Sequence, residues 1–276
     1  MSQFLSTTHP HPIVDLVPSS TTEADDGFPI ELHQQKSNSM VDSIHNPETP
    51  SLPENKTPKQ QIYDALVEIS KMGHFENGAA ESGNVHGFSR HENALKYVFE
   101  KHGLTHTTKP TFCNKKNVDQ WMKQPETCPL SPGSFIEQPC GTHESPDFLL
   151  RVNHQWVLGI EAKSSKNAKP MYNSGGVKNE YLYIFCSKKY NQTTLYWGKD
   201  IITQEQQDTL VQLHALQKQI EILKNKLLEQ QDTQGRGWSY YTRPMLQQSG
   251  AAEKTDYFIH RDRKKCEENV LACFQP

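Results

Sequence analysis

Two carboxylates and a lysine are the residues of this sequence best placed to do chemistry. Asp147 follows Pro146, and the run Glu161-Ala162-Lys163 comes after 13 intervening residues. Both acidic residues lie in apolar segments, where an unpaired charge is costly and needs a partner such as a metal ion. The spacing therefore raises the question of whether the chain brings the two carboxylates together.

The apolar segments around these residues are predicted to pair as an antiparallel hairpin. PDFLLRV and WVLGIEAK are separated by a turn-like Asn-His-Gln. A turn centred on His154 makes the numbers of opposed residues add up to 308, which places Asp147 opposite Glu161. Because a strand repeats every two residues, Glu161 and Lys163 share one face. A slip of one residue would break this alignment, so the register is an assumption.

Two carboxylates that face each other can bind a hard divalent cation through oxygen and leave positions for water and a phosphate. Such a metal lowers the pKa of bound water and neutralises charge in the transition state of phosphodiester hydrolysis. The ammonium of Lys163 could orient the nucleophile and add positive charge. The alternative is that Asp147 opens a strand while Glu161 and Lys163 face solvent. The flanking strands and the basic residues that follow favour the catalytic interpretation.

The segment SPDFLL…WVLGIEAKSSK resembles the active site of the PD-(D/E)xK nuclease superfamily, and its setting is similar to that in type II restriction endonucleases. The resemblance implies an α/β core with a mixed central sheet flanked by helices. It also implies Mg²⁺-dependent hydrolysis of double-stranded DNA at a specific sequence, leaving 5′-phosphate and 3′-hydroxyl ends. By the same resemblance Asp147 and Glu161 are metal ligands and Lys163 is the motif lysine. Members often have a further acid on an upstream helix, for which Glu92 is the candidate; the alternative is a simple rim charge.

Periodicity predicts the elements that must position these residues. Helices are expected from Pro58, with Ile62, Leu66 and Ile69 on one face, and over RHENALKYVFEKHG, which Gly103 ends. In the second helix Glu92 shares a face with Leu95 and Phe99. The remaining predictions are an irregular connection over residues 105–145, strands over 181–186 and 193–197, and a long helix over about 203–231.

The composition predicts a tail and one folded domain. Residues 1–58 are rich in Ser, Thr, Pro, Asn and His and have too little apolar content to form a core, so a disordered tail is expected. Residues 59–276 are interpreted as a nuclease domain, with its catalytic core at about 89–200 and the long helix and DNA-contact elements at about 201–276.

The expected setting is the cytoplasm, because no apolar stretch approaches the roughly 20 residues of a membrane span and residues at the N-terminus lack the basic region and apolar run of a secretory signal. Six cysteines are then expected to be reduced thiols. A zinc site at Cys113, Cys128, Cys140 and His143 is the less favoured alternative, because no close pair of cysteines is present.

Five residues outside the hairpin are the candidates for DNA contact. A net charge of −3 excludes coating of nucleic acid by bulk charge, but a local basic face can still bind DNA. Lys166, Lys169 and Asn173 follow the hairpin closely. Arg236 and Arg243 lie in the aromatic segment GRGWSYYTRP and could read base edges. The equal alternative is that the aromatic residues of this segment pack in the core.

The long helix carries Leu213, Leu216, Ile220, Leu223 and Leu227 at heptad spacing. This stripe either packs on its own domain, the slightly favoured interpretation, or pairs with a second copy in a symmetric homodimer. Two other functions stay open at this point. One is a repair, recombination or modification-dependent nuclease on the same core, and the other is a non-catalytic DNA-binding or coiled-coil interaction protein.

Overall fold

The helix predicted from Pro58 is the first element of the structure. The structure is a computed structural model, and it describes residues 56–76, 90–142, 144–173 and 175–275. Helix α1 spans Pro58–Ser70, and the Thr57 side chain caps it by accepting a hydrogen bond from the amide of Gln60. The tail predicted over residues 1–58 lies outside the described residues except for its last three.

Further helices and strands follow within the described ranges, and most of the strands are consecutive along the chain. The helices are α2 His91–Lys101, α3 Lys115–Lys123, α4 Gln204–Gln231, α5 Ala252–Thr255 and α6 Arg263–Phe274. The strands are β1 Thr105–His106, β2 Ser134–Glu137, β3 Phe148–Asn153, β4 Trp156–Ser165, β5 Leu182–Ser187 and β6 Gln192–Trp197. The strands predicted over PDFLLRV, WVLGIEAK, 181–186 and 193–197 are therefore confirmed.

The six strands form one mixed sheet in the order β1-β2-β3-β4-β5-β6. Strand β1 pairs parallel with β2, and β4 pairs parallel with β5. The other three pairings are antiparallel. Helices pack on both faces of this sheet, which confirms the predicted α/β class with a mixed central sheet flanked by helices.

The first face of the sheet is covered by α1, α2 and α6. Their apolar residues form one buried cluster with alternate residues of the strands, including Leu66 of α1, Phe99 of α2 and Phe274 of α6. Leu158 and Ile160 of β4 face this cluster. The predicted apolar stripes of α1 and α2 are thus the surfaces that hold these helices on the sheet.

The second face is covered by α3 and by aromatic side chains from the sheet. Gly159 of β4 lies under α3, since a Cβ at this position would come within 3.1 Å of the side chains of Met122 and Tyr181. Beside it, the rings of Tyr183 and Tyr196 stack with their centroids 5.3 Å apart. Glu161 and Lys163 of β4 belong to this face.

The prediction of an irregular connection over residues 105–145 is wrong, because this segment contains β1, α3 and β2. Helix α3 is short and buries Val118 and Trp121, which is too few apolar residues to give a clear period. Asn114, which looks like a loop residue in the sequence, is its N-cap and accepts a 3.0 Å hydrogen bond from the amide of Asn117.

The prediction that the heptad stripe of α4 packs on its own domain is also wrong. All five of its residues are exposed, and Ile220 retains 56% of its accessible surface. The helix is held by its opposite side, where Glu221 accepts hydrogen bonds from Thr242 and Leu210 lies against Gly176. None of the helices in the described residues combines the length and apolar character needed to cross a bilayer.

The cysteines of the chain are free thiols. Cys113 and Cys128 are buried in an apolar cluster with Trp121, and Cys140 packs against that cluster. His143, the fourth residue of the alternative zinc site, lies outside the described residues.

Candidate active site

The hairpin has the register that the sequence predicts. Phe148 pairs with Ile160 and Leu150 with Leu158, so that the numbers of opposed residues add up to 308. The register shifts only near the turn, between Arg151 and Asn153. Continued by one position beyond Phe148, the same register sets Asp147 opposite Glu161.

A backbone hydrogen bond fixes the carboxylate of Asp147 against β4. The amide of Ala162 donates to Asp147 Oδ2 over 2.8 Å. Burial and the nearby charge of Glu161 together raise the pKa of Asp147 to about 8, although the ammonium of Lys163 acts in the opposite direction. Without a cation, the two carboxylates therefore resist carrying two negative charges at neutral pH.

Glu161 and Lys163 project together from the second face of β4, as the strand period predicts. Lys163 Nζ donates to Glu161 Oε1 over 2.6 Å, and the two side chains are only 11% and 5% exposed. The other carboxylate oxygen, Glu161 Oε2, is buried and has no hydrogen-bond partner. An unpartnered buried oxygen is costly, so this atom marks a place where a further positive group would be favourable.

Glu92 reaches the same cavity from α2. The cavity has a volume of about 300 Å³, and Glu92, Asp147, Glu161 and Lys163 all line it. Its other lining residues are Thr142, Glu144, Ala162, Ser164, Ser165, Met171, Asn173 and Arg243. The predicted upstream acid is therefore brought to the cavity of the hairpin carboxylates.

The donor set of this cavity fits Mg²⁺. Within the described ranges, no three His, Cys, Asp or Glu side chains form a ready metal cluster. Magnesium, however, keeps several waters and is commonly bound through one or two protein carboxylates together with substrate phosphate. Asp147 and Glu161 supply two carboxylates, and the unpartnered Glu161 Oε2 supplies an oxygen that no protein donor occupies.

Two further cavities adjoin the first and extend it into a groove. One shares Glu92 and Asp147 with it and is also lined by Arg90 and Lys109. The other shares Asn173 and Arg243 with it. Cations thus line both adjoining cavities, together with Glu137 in the first and Glu144 in the second, and the cavity of Glu161 and Lys163 lies between them.

The candidate DNA contacts divide into two groups. Asn173 and Arg243 line the groove, and Arg243 Nε donates to the backbone carbonyl of Asn173 over 3.1 Å. Lys166 is exposed beyond the end of β4 and does not line the cavity. Lys169 Nζ donates to the carbonyl of Gln248, and Arg236 is exposed in the segment after α4.

Some groove residues were not identified from the sequence. Lys115 and Glu144 lie in the segment predicted to be irregular, and Lys178 lies between two predicted strands. Lys115 had a usable signal, because Asn114 before it is a strong helix-capping residue. The aromatic residues Trp238 and Tyr241 are 70% and 79% exposed, so the alternative that they pack in the core is wrong.

Comparisons with known proteins found no match, whether to a family model, to a curated protein or to a solved structure.

Proposed function

We propose that this protein is a Mg²⁺-dependent nuclease of the PD-(D/E)xK superfamily, and specifically a type II restriction endonuclease that hydrolyses double-stranded DNA. The observation that carries the proposal is the set of three side chains on the hairpin. Asp147 accepts a hydrogen bond from the amide of Ala162, next to Glu161, and Lys163 contacts Glu161 in the same cavity. The mixed sheet with helices on both faces is the architecture expected for such a core.

Each residue of the hairpin has a role in this proposal. Asp147 and Glu161 would hold Mg²⁺, which when bound supplies an acidified water and charge neutralisation at the phosphate. The amide of Ala162 keeps the Asp147 carboxylate directed toward Glu161. Lys163, held in place by Glu161, presents an ammonium that orients the attacking water and stabilises negative charge on the phosphate. Glu92 lies at the edge of the same cavity and can accept a hydrogen bond from a water.

The groove accounts for binding of a polyanion by a chain whose net charge is −3. Arg90 and Lys109 lie on one side of the carboxylates and Arg243 on the other. Phosphate contacts of this kind position the duplex without reading its sequence. Base reading is assigned to the exposed segment around Arg236, Trp238 and Tyr241, because reading elements must reach into a groove of the DNA. Such an enzyme would act in the cytoplasm.

The exposed stripe of α4 is assigned to a second copy of this chain. Its residues lie at heptad spacing on the side of α4 opposite to Leu210 and Glu221, which attach the helix to its own domain. The positions beside the stripe carry Gln212, Gln217 and Gln219 along its first half and Lys224 and Lys226 toward its end. A symmetric dimer would supply two catalytic cavities for the two DNA strands.

The proposal is tested by incubating the full-length protein with a sequenced plasmid and Mg²⁺, followed by sequencing of the ends. Discrete fragments with 5′-phosphate ends are expected. Cleavage without fixed positions would overturn the restriction assignment and favour a repair or recombination nuclease. A folded protein that leaves the plasmid intact across metals would overturn the nuclease assignment and favour a non-catalytic binding protein.

A further inference from the structure

A second cavity lies directly beside the catalytic one. It has a volume of about 480 Å³ and shares Glu144, Asn173 and Arg243 with the catalytic cavity. Its other lining residues are Lys115, Ser145, Gly175, Lys178, Tyr241, Thr242 and Pro244. Three cations and one carboxylate therefore line this cavity, which gives its wall an excess of positive charge.

Lys178 lines this cavity without a carboxylate at ion-pair distance among the described residues, whereas Lys115 is paired with Asp119. The Lys178 ammonium donates to the carbonyl of Gly175 over 3.4 Å. Burial, and secondly the charge of Lys115, lower the pKa of Lys178, although the charges of Glu180, Asp119 and Glu144 act in the opposite direction. A half-buried ammonium in this condition gains more from an anionic ligand than a solvated surface lysine does.

The backbone at Lys178 is held by three contacts, so the base of its side chain has a fixed position at the cavity. The amide of Lys178 donates to the buried hydroxyl of Tyr183 over 2.8 Å, and its carbonyl accepts from the amide of Tyr181 over 3.2 Å. Gly198 lies so close that a Cβ there would stand 1.8 Å from the Lys178 carbonyl oxygen. Contacts with Tyr181, Tyr183 and Gly198 thus hold the backbone of Lys178 against the sheet.

The other two cations complete the wall of the cavity. Lys115 stands at the start of α3, where its ammonium donates to Asp119 over 2.6 Å and to the hydroxyl of Tyr181 over 3.2 Å. Arg243 uses Nε for the carbonyl of Asn173, which leaves the two terminal nitrogens of its guanidinium for a ligand. Lys115 and Arg243 come from distant parts of the chain, and both line the same cavity as Lys178.

We propose that this cavity, hereafter the Lys178 pocket, binds a phosphate of the nucleic-acid backbone that flanks the phosphate undergoing hydrolysis. The inference rests on the proposed function and names how that site holds its substrate. Arg243 and Asn173 line both cavities, so one strand passing through them meets Lys163 and then Lys178. The exposed ring of Tyr241 at the pocket provides a surface for the adjoining sugar or base.

The test measures DNA binding in EDTA, where no metal-dependent cutting can interfere. The probe is a fluorescently labelled duplex of about 20 base pairs, titrated at several salt concentrations. Lys178→Gln is expected to weaken binding about tenfold and to reduce the slope of log K against log salt by about 1. Lys178→Arg should retain most of the affinity. Lys71→Gln, which removes an exposed lysine at the end of α1, is the matched control and should bind as the wild type does.

The outcomes separate this inference from the proposed function. If Lys178→Gln binds with unchanged affinity and salt slope, the proposal that the Lys178 pocket binds a phosphate is wrong, whether or not the wild type cuts plasmid DNA. If binding weakens as expected but the wild type never cuts, phosphate binding by the Lys178 pocket is supported and the proposed nuclease function is contradicted. Should Lys178→Gln not fold, as judged by circular dichroism, Lys115→Gln reports on the same pocket, and wild-type binding by that variant would contradict the inference.

Discussion

The amide of Ala162 donates a hydrogen bond of 2.8 Å to the carboxylate of Asp147, and so links the two arms of the hairpin at the site. Asp147 stands one position before β3 and depends on this bond for its placement against β4. Because side chains alternate between the faces of a strand, a slip of one residue would turn Glu161 and Lys163 to the other face of the sheet. The register of the hairpin therefore determines whether a site exists.

Asp147→Asn should stabilise the metal-free protein. Burial and the charge of Glu161 raise the pKa of Asp147 from 3.8 to about 8. The folded state thus binds this proton more tightly than the unfolded state, and the free energy of unfolding falls as the pH rises from 3.8 to about 8. At the upper end of this window the substitution should add about 1–3 kcal/mol, measured by urea denaturation in EDTA.

The control for this experiment is Glu229→Gln, which removes an exposed carboxylate of α4 and should leave stability nearly unchanged. Magnesium should stabilise the wild type but not Asp147→Asn. A wild-type protein whose stability is flat from pH 4 to 8 would contradict the placement of Asp147 beside Glu161.

Lys163→Ala should lower the rate of plasmid cleavage by about 100-fold while DNA binding in Ca²⁺ changes little. The reason is that Lys163 contacts Glu161 inside the cavity, whereas phosphate-facing cations elsewhere supply most of the affinity. Lys71→Ala is the control, because Lys71 is an exposed lysine at the end of α1 and does not line the cavity. Equal cleavage by the two variants would argue against a role for Lys163 in the reaction.

Ile220→Lys should convert the dimer to a monomer in sedimentation velocity without unfolding it. Ile220 lies in the exposed stripe of α4, so a charge there disrupts an interface rather than a core. Ile222→Lys is the control, since Ile222 is also exposed but points away from the stripe. If the wild type sediments as a monomer at micromolar concentration, the assignment of the stripe to a second copy is wrong.

Deletion of residues 1–55 should leave folding and cleavage largely intact. The composition of this segment cannot provide a core, and the truncated chain keeps Thr57, the N-cap of α1, and the Lys56–Asp64 ion pair. Thermal unfolding and the plasmid digest measure the two effects. A folded truncation that loses specific cutting would show that the segment reaches DNA or a partner.

The hairpin could be predicted from the sequence because its two strands and its turn are neighbours along the chain. Two apolar runs and a short turn favour one register, and the observed pairing of Phe148 with Ile160 agrees with it. The helix of Glu92 was predictable for a similar reason, since Leu95 and Phe99 define its buried face.

The remaining parts of the site could not be predicted because they depend on tertiary contacts. Lys115 and Lys178 are far apart in the chain and meet only because α3 packs over Gly159 and the Lys178 backbone packs on Gly198. The heptad spacing shows that α4 has an apolar face, but it does not show which side of the helix packs against the rest of the domain. That choice was decided by Glu221 and Thr242, whose hydrogen bonds involve polar residues without a period.

The most direct test of the central claim is plasmid cleavage by the wild type beside Asp147→Ala and Glu161→Ala, with folding checked by circular dichroism. Both carboxylates are assigned to Mg²⁺, so loss of either should abolish cutting while DNA binding in Ca²⁺ persists or tightens. The account predicts no detectable cleavage by either variant under conditions where the wild type digests the plasmid completely. Cleavage at the wild-type rate by folded Asp147→Ala would contradict it.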